Sequence, residues 1–373
     1  MSEEKLVPKL RFSGFKNLWD TYKLKDLLQN KSSNISINQL DENIGEYPLY
    51  GAGGFLKSID FYEMDCDYIS IVKDGSGVGN ISFHEKNSSI VNTSQYLLPK
   101  DNIDINFIFY LLQTINLDKY KTGSTIPHIY FKDYSIEKVH IPKLDEQSRI
   151  GFLFKNIDLK IKILEKKCQN YQEFKKYLMQ QIFTQKLRFD FSEDWKIVKI
   201  KDIFDERSEK GFDELELLSV TLNEGVIKRS EIESKDNSND NKSNYKHVLP
   251  NDMVYNSMRM WQGASGVSSY EGIVSPAYTI LIPKNVHSPF FGYYFKTHEM
   301  IYQFKKYSQG LTSDTWNLKY PLISEIKLKI PSLEEQKQIT NLFETIDIKI
   351  EILENIICDL KNFRKGLLQQ MFV

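Results

Sequence analysis

The sequence predicts an α+β protein in which two mixed α/β bodies are separated by two long helices, the whole arranged as an internal repeat. Three observations carry this prediction. Residues 141–183 and 330–372 align without a gap at an offset of 189 and agree at 21 of 43 positions. Both stretches place apolar residues on alternating steps of three and four, the period of an amphipathic helix. The segments ahead of them carry β-branched and aromatic residues between Gly, Asn, Asp and Pro, as short strands with tight turns do.

In chain order, residues 1–140 form the first body with its lead-in, 141–188 the first long helix, 189–329 the second body and 330–373 the second long helix. The lead-in PKLRFSGFKNLWDTYKLKDLL at 8–28 is echoed by KLRFDFSEDWKIVKIKDIF at 186–204. In each a tryptophan, Trp19 or Trp195, precedes an apolar residue, Leu24 or Ile200, that is followed by Lys-Asp. Strands are expected in YPLYGAGGFL, DYISIVKDGSGVGNISF and SIVNTSQYLLPK, a buried helix in INFIFYLLQTINLDKY and a closing strand in SIEKVHIP. The second body runs the same course: LELLSVTLNEGVIK, the glycine-bearing NSMRMWQGASGVSSYEGIVSPAYTILIPK, one helix in PFFGYYFKTHEMIYQFKKY and a strand in SEIKLKIP. The polar run SKDNSNDNKSN at 234–244 reads as an exposed loop.

The long helices carry the most regular pattern. Phe154, Ile157, Ile161, Leu164, Cys168, Tyr171, Leu178 and Ile182 trace a heptad seam in the first, with Lys175 in the place between Tyr171 and Leu178. Phe343, Ile346, Ile350, Leu353, Ile357, Leu360, Leu367 and Met371 trace it in the second, with Arg364 at the matching place. The two seams are expected to pack on each other. Ser332 with Glu335 predicts a capping box at the start of the second helix, and Asp145 and Glu146 suit the positive end of the first. About 38 residues at 1.5 Å each give a rod of roughly 55 Å.

Composition bounds the rest. A chain of 373 residues has room for two or three domains. Its longest purely apolar run, Phe107 to Leu112, is far short of the roughly 20 residues a membrane span requires, and a cytoplasmic protein is expected. Cys66, Cys168 and Cys358 are scattered, without the spacing of a disulfide framework or a zinc site. The net charge of −1 does not announce a nucleic-acid binder. Only residues 155–188 are clearly basic, with 9 Lys+Arg against 3 Asp+Glu. The basic helix face within them, with Lys155, Lys160, Lys162, Lys166, Lys167 and Lys176, suits phosphates, a protein partner or plain solvent.

The lead-in PKLRFSGF with Trp19, the openings IPKLDEQ and IPSLEEQ, the endings LMQQIF and LLQQMF, and the two unlike bodies together resemble the specificity subunit of type I restriction-modification systems. The resemblance covers essentially the whole chain. It implies two target recognition domains, each reading half of a bipartite site in double-stranded DNA, held apart by two antiparallel helices that set the gap. It also implies two methyltransferase subunits as partners, carrying S-adenosylmethionine and methylating adenine at N6, and two restriction subunits that use ATP and Mg. No catalytic residue, cofactor or metal is then expected in this chain.

Several short runs imitate catalytic motifs and fit simpler roles. Gly75, Gly77 and Gly79 in DGSGVGN lack the Gly-Lys-Ser/Thr of a phosphate loop and fit a tight turn or a DNA-facing loop. The nuclease-like pairs Glu165/Lys167, Glu233/Lys235 and Glu325/Lys327 have only minimal Glu-x-Lys spacing. A coiled-coil adaptor whose bodies bind proteins and a stand-alone endonuclease stay open as alternatives, as does a guide for modification alone.

Side chains able to reach base edges cluster at matched places in both bodies. The first offers Lys73, Ser76, Asn80, Ser94, Gln95 and Tyr96, with Thr125 and His128 in the loop TGSTIPH at 122–128. The second offers Arg259, Trp261, Gln262, Ser265, Ser268, Tyr278, Thr312 and Ser313. Arg259, flanked by Met and Trp in MRMWQG, is the leading single candidate; an ion pair within the protein is the competing role.

Overall fold

The computed structural model describes residues 6–40, 43–222, 224–232, 241–312 and 315–373. Two compact units emerge, Met1–Lys166 with Leu353–Val373, and Lys167–Ile352. Each therefore takes part of both long helices, which run Leu144–Phe183 and Leu333–Met371.

The first unit is built on a four-stranded antiparallel sheet in the order Leu28–Ser32, Ser94–Pro99, Tyr68–Val72, Ile81–His84. The second repeats that order with Phe204–Arg207, Tyr278–Pro283, Met253–Asn256 and Ser265–Val267. Small ladders differ between the two. The first unit adds Tyr47–Gly51 between Gly54–Ile59 and Ser89–Ile90. The second adds the hairpin Leu218–Thr221/Gly225–Lys228 and the pair Lys246–Val248/Gly272–Val274. The glycine-rich DGSGVGN run forms the turn from Tyr68–Val72 to Ile81–His84, with Gly75, Gly77 and Gly79 all at φ between 82° and 86°. Side chains at such angles are strained, so this turn requires the glycines.

Each lead-in closes its unit. Asp20–Lys23 pairs with Lys138–Ile141, and Lys196–Lys199 with Lys327–Ile330, so the strand before each body lies beside the strand after it. Helix Ile105–Thr114 packs on the first sheet, its start capped by Asp104, which accepts the Phe107 N–H at 2.9 Å. The counterpart in the second unit is two helices, Ser288–Tyr294 and His298–Tyr307, rather than the single one expected. Thr297 starts a fresh helix by accepting the Met300 N–H through its hydroxyl, a cap hidden in an apolar pattern that otherwise runs on.

The long helices pair antiparallel within each unit. In the first, Phe154 meets Phe372 at 5.8 Å between ring centroids, Arg364 bonds Asp158 at 2.5 Å and Lys361 bonds Glu165 at 2.7 Å. In the second, Lys175 bonds Asp347 at 2.5 Å and Phe183 stacks on Phe343 at 6.0 Å. Phe154, Ile157, Ile161, Leu164, Leu178, Phe343, Ile346, Leu353 and Leu367 are buried, while Tyr171, Ile350 and Leu360 are half-buried. Burial of each aliphatic seam residue contributes roughly 1.5–3 kcal/mol.

The helix starts depart from the expected caps. Ser332 accepts the Glu335 N–H at 3.3 Å, but the Glu335 carboxylate turns away to Arg188 (2.9 Å) and the Trp195 indole N–H (3.1 Å), so the box is half formed. Glu146 likewise takes Arg11 through two bonds of 2.6 and 2.7 Å. The repeated Lys-Leu-Arg-Phe of the lead-ins thus ties each lead-in to a buried glutamate in the first turn of the helix that follows its body. Gln147 and Gln336, next in the IPxLxEQ motif, accept the backbone N–H of Asp104 (3.0 Å) and His287 (2.9 Å) and donate to the carbonyls of Pro142 and Pro331. They fasten each body to its helix.

Glu335→Ala strips two donors of their acceptor, and Glu146→Ala strips one, because the Trp19 indole N–H has no partner among the described residues. Urea denaturation should show both variants destabilised, Glu335→Ala by roughly 3 kcal/mol and Glu146→Ala by less. Equal or negligible losses would contradict this.

Candidate nucleic-acid interface

In the first unit a loop is closed by mutual backbone bonds between Thr122 and His128 (2.9 and 2.7 Å). Two further bonds, Gly75 N–H to Pro127 O (3.0 Å) and Ile129 N–H to Lys73 O (2.9 Å), sew it to the glycine-rich turn. The second unit repeats the device: Gln309 and Asn317 exchange bonds of 3.0 and 2.8 Å, and Leu318 N–H donates to Ser257 O at 2.9 Å. The stretches that carry Lys73 and Arg259 are therefore each brought beside a closed loop, at equivalent ends of equivalent sheets.

Of the first-unit candidates, Lys73, Gln95 and His128 converge on one cleft of about 520 Å³, which Ser32, Asp74 and Tyr130 also line. His128 Nδ1 lies 2.7 Å from the Asp74 carboxylate, and the His128 and Tyr130 rings stack with 12° between their planes. Ser76, Asn80 and Thr125 are exposed on the two loops. Ser94 and Tyr96 are buried instead. The Tyr96 hydroxyl donates to Glu63 (2.7 Å) and accepts from the Ile90 N–H (3.0 Å), and burial raises its phenol above the usual range.

In the second unit Arg259 is exposed, and its guanidinium has no hydrogen bond or ion pair among the described residues. Gln262 and Thr312 are exposed, Trp261 and Tyr278 half-buried. Trp261 does not shelve the arginine. Its indole N–H donates to Met258 O at 3.1 Å, and its ring meets Trp316 edge-on at 5.2 Å, with Lys305 5.6 Å over Trp316. Ser265 and Ser268 are buried, the Ser268 hydroxyl donating to Tyr270 O at 2.8 Å. Ser313 lies outside the described residues, as do Glu233, Lys235 and residues 234–240 of the polar run.

Asp74 lies in the DGSGVGN run without being a base-edge candidate, and Tyr130, Lys305 and Trp316 carry no motif that singles them out; the loop closures bring Tyr130 and Trp316 to these surfaces. The remaining Glu-x-Lys pairs are occupied structurally. Glu165 bonds Lys361, and Glu325 is clamped by Lys199 and Lys201 at 2.6 Å each, which holds its carboxyl down at about 2. Among the described residues no three His, Cys, Asp or Glu side chains gather as metal ligands, and no helix is long and apolar enough to cross a membrane. The lysines at 155, 160, 162, 166, 167 and 176 are exposed.

A family profile, the type I restriction modification DNA specificity domain, matches residues 16–170 and again residues 192–362. The chain belongs to that family. The specificity subunit of type I restriction enzyme MjaVIII from Methanocaldococcus jannaschii is 26% identical over 383 aligned positions, covering 90% of this chain and 87% of that protein. A putative type I specificity subunit from Mycoplasma pneumoniae is 23% identical over 42% of this chain and 57% of its own. The crystal structure of a type I S subunit from M. genitalium superimposes with a TM-score of 0.69 at 17% identity, over 98% of this chain and 99% of that one, so the fold is shared. As a member, this chain is a DNA sequence-specificity subunit of a type I restriction-modification system and non-catalytic, and the twofold profile match falls on the two halves of its repeat.

Arg207 gives the contrast to Arg259, since its guanidinium bonds Asp252 at 2.8 and 3.2 Å while 10% exposed. Denaturation should place Arg259→Ala within about 0.5 kcal/mol of the parent, and Arg207→Ala roughly 3 kcal/mol below it. A large loss for Arg259→Ala would mean that it serves the fold.

Proposed function

We propose that each unit of this specificity subunit reads one half of a gapped site in double-stranded DNA, and that the helix pair sets the gap. The observation that supports this best is unlike chemistry on a matched frame. The same sheet order, the same loop closure and the same helix contacts carry Lys73, Gln95 and His128 in one unit and Arg259, Trp261 and Gln262 in the other. Phosphate contacts only position a protein on the duplex, whereas base-edge contacts specify sequence. Two frames with different side chains are what two different half-sites require.

The partners follow from surface and charge. Leu159, Ile163 and Phe363 in the first unit are 53–57% exposed, and their repeat equivalents in the second, Ile348, Ile352 and Phe174, are 49–55% exposed. A helix with an apolar face left in water marks a contact site. Because the trio occurs once in each unit, we assign it to two methyltransferase subunits. These would carry S-adenosylmethionine and methylate adenine at N6; two restriction subunits would bring ATP and Mg. A net charge of −1 leaves much of the phosphate contact to such partners. Adenine methylation needs the base out of the stack, so the methyltransferase must grip DNA close to each reader.

The test is to reconstitute the chain with a type I methyltransferase subunit and map the adenines methylated in genomic DNA. A two-part gapped motif is expected, and Arg259→Ala should relax or weaken only one half. Seven residues added to both helices, after Lys166 and after Ile352, keep the seam in phase and should lengthen the gap by about three base pairs. Altered half-sites with an unchanged gap would refute the spacer role.

A further inference from the structure

Resting on that reading, we infer that Gln95 reads an adenine in the half-site of the first unit, its carboxamide meeting the N6 and N7 edge of the base. Gln95 lies inside Ser94–Pro99 with ladder partners on both sides, Ser32 and Ile71, so its backbone is fixed in the middle of three strands. The residue is only 8% exposed and lines the cleft at that end of the sheet. Its carboxamide has no hydrogen-bond partner among the described residues and is not sealed from solvent, so it stands open to a ligand in the cleft.

The neighbouring polar groups are already engaged with each other. Asp74 receives His128 Nδ1 at 2.7 Å and lies 3.8 Å from Lys73 Nζ. Ser32 and Tyr130 also line the cleft, but each offers a single hydroxyl oxygen, whereas Gln95 carries a separate donor and acceptor side by side on one planar edge. Adenine presents the complement, an N6 donor beside the N7 acceptor, whereas guanine presents two acceptors and would confront the glutamine carbonyl with O6. Lys73 and His128, which line the same cleft, suit the adjoining phosphate or base.

The second unit shows that the frame does not itself require an open group here. By register, Gln95 corresponds to Thr279: Ser94 sits opposite Val72, as Tyr278 sits opposite Asn256. Lys73 corresponds to Ser257, since Lys73 N–H bonds Thr93 O and Ser257 N–H bonds Ala277 O, each just past its strand. In that unit the two positions satisfy each other, Ser257 Oγ to Thr279 Oγ1 at 2.8 Å, and both are buried. An open carboxamide at the first unit's position is thus a feature of that reader alone.

The experiment is adenine-methylation mapping of the reconstituted complex with Gln95→Leu and with Gln95→Glu. Gln95→Leu keeps the packing and removes both polar partners. It should lower discrimination at one A·T pair of one half-site by about 5- to 150-fold and leave the other half-site and the gap unchanged. Gln95→Glu, an acceptor only, should shift the preference at that pair toward cytosine, whose N4 donates. If Gln95→Leu abolishes methylation altogether, an unchanged base preference in Gln95→Glu overturns the assignment. A two-part motif in the parent with unaltered stringency in Gln95→Leu overturns it alone; a parent complex yielding no two-part motif overturns the reading beneath it as well.

Discussion

One carboxylate in each unit sets the register on which the architecture depends. Asp158 accepts the Tyr110 hydroxyl at 2.8 Å and Arg364 at 2.5 and 3.1 Å; Asp347 accepts the Tyr293 hydroxyl at 2.8 Å and Lys175 at 2.5 Å. The tyrosine belongs to the body and the cation to the antiparallel helix. A single aspartate therefore fixes how the body sits on its helix and in what register the two helices pair. Each tyrosine also lies under its cation, Arg364 5.4 Å over Tyr110 and Lys175 5.0 Å over Tyr293, and burial raises both phenols above their usual range.

These contacts are partly exposed, and each contributes on the order of 1 kcal/mol or less. Their larger effect is on which pairing forms. Arg364 and Lys175 occupy equivalent seam places in the repeat, so a parallel, in-register pairing would set cation against cation. The antiparallel pairing gives each a carboxylate. Polar residues at seam positions act in this way in coiled coils, giving up some stability to exclude alternatives. The apolar seam supplies the adhesion and the two aspartates supply the register.

The heptad seam was legible because it occurs twice and because its period is local. The aspartates were not, because their partners lie 172 and 206 residues away and a lone Asp beside a seam isoleucine reads as solvated surface. Glu335 fitted a cap by spacing, yet Arg188, 147 residues distant, competes for it. The break at Thr297 was hidden for the opposite reason, since the apolar pattern on both sides continues through it. At the interface, Lys73, Gln95 and His128 were legible as residue types, and the loop closures supplied their meeting point. Ser94 and Tyr96 show the limit of reading residue types along a strand: Tyr96 sits among Tyr68 and Glu63, on the side facing away from the cleft that Gln95 lines.

The central claim is that cation and carboxylate at the seam act on each other rather than merely coexisting, and a charge swap in the second unit tests it most directly. Equilibrium denaturation would compare Lys175→Asp, Asp347→Lys and the two combined. The account predicts that each single change destabilises and that the double swap recovers a large part of the loss, a coupling of about 0.5–1 kcal/mol. A double swap whose loss equals the sum of the single losses would contradict it.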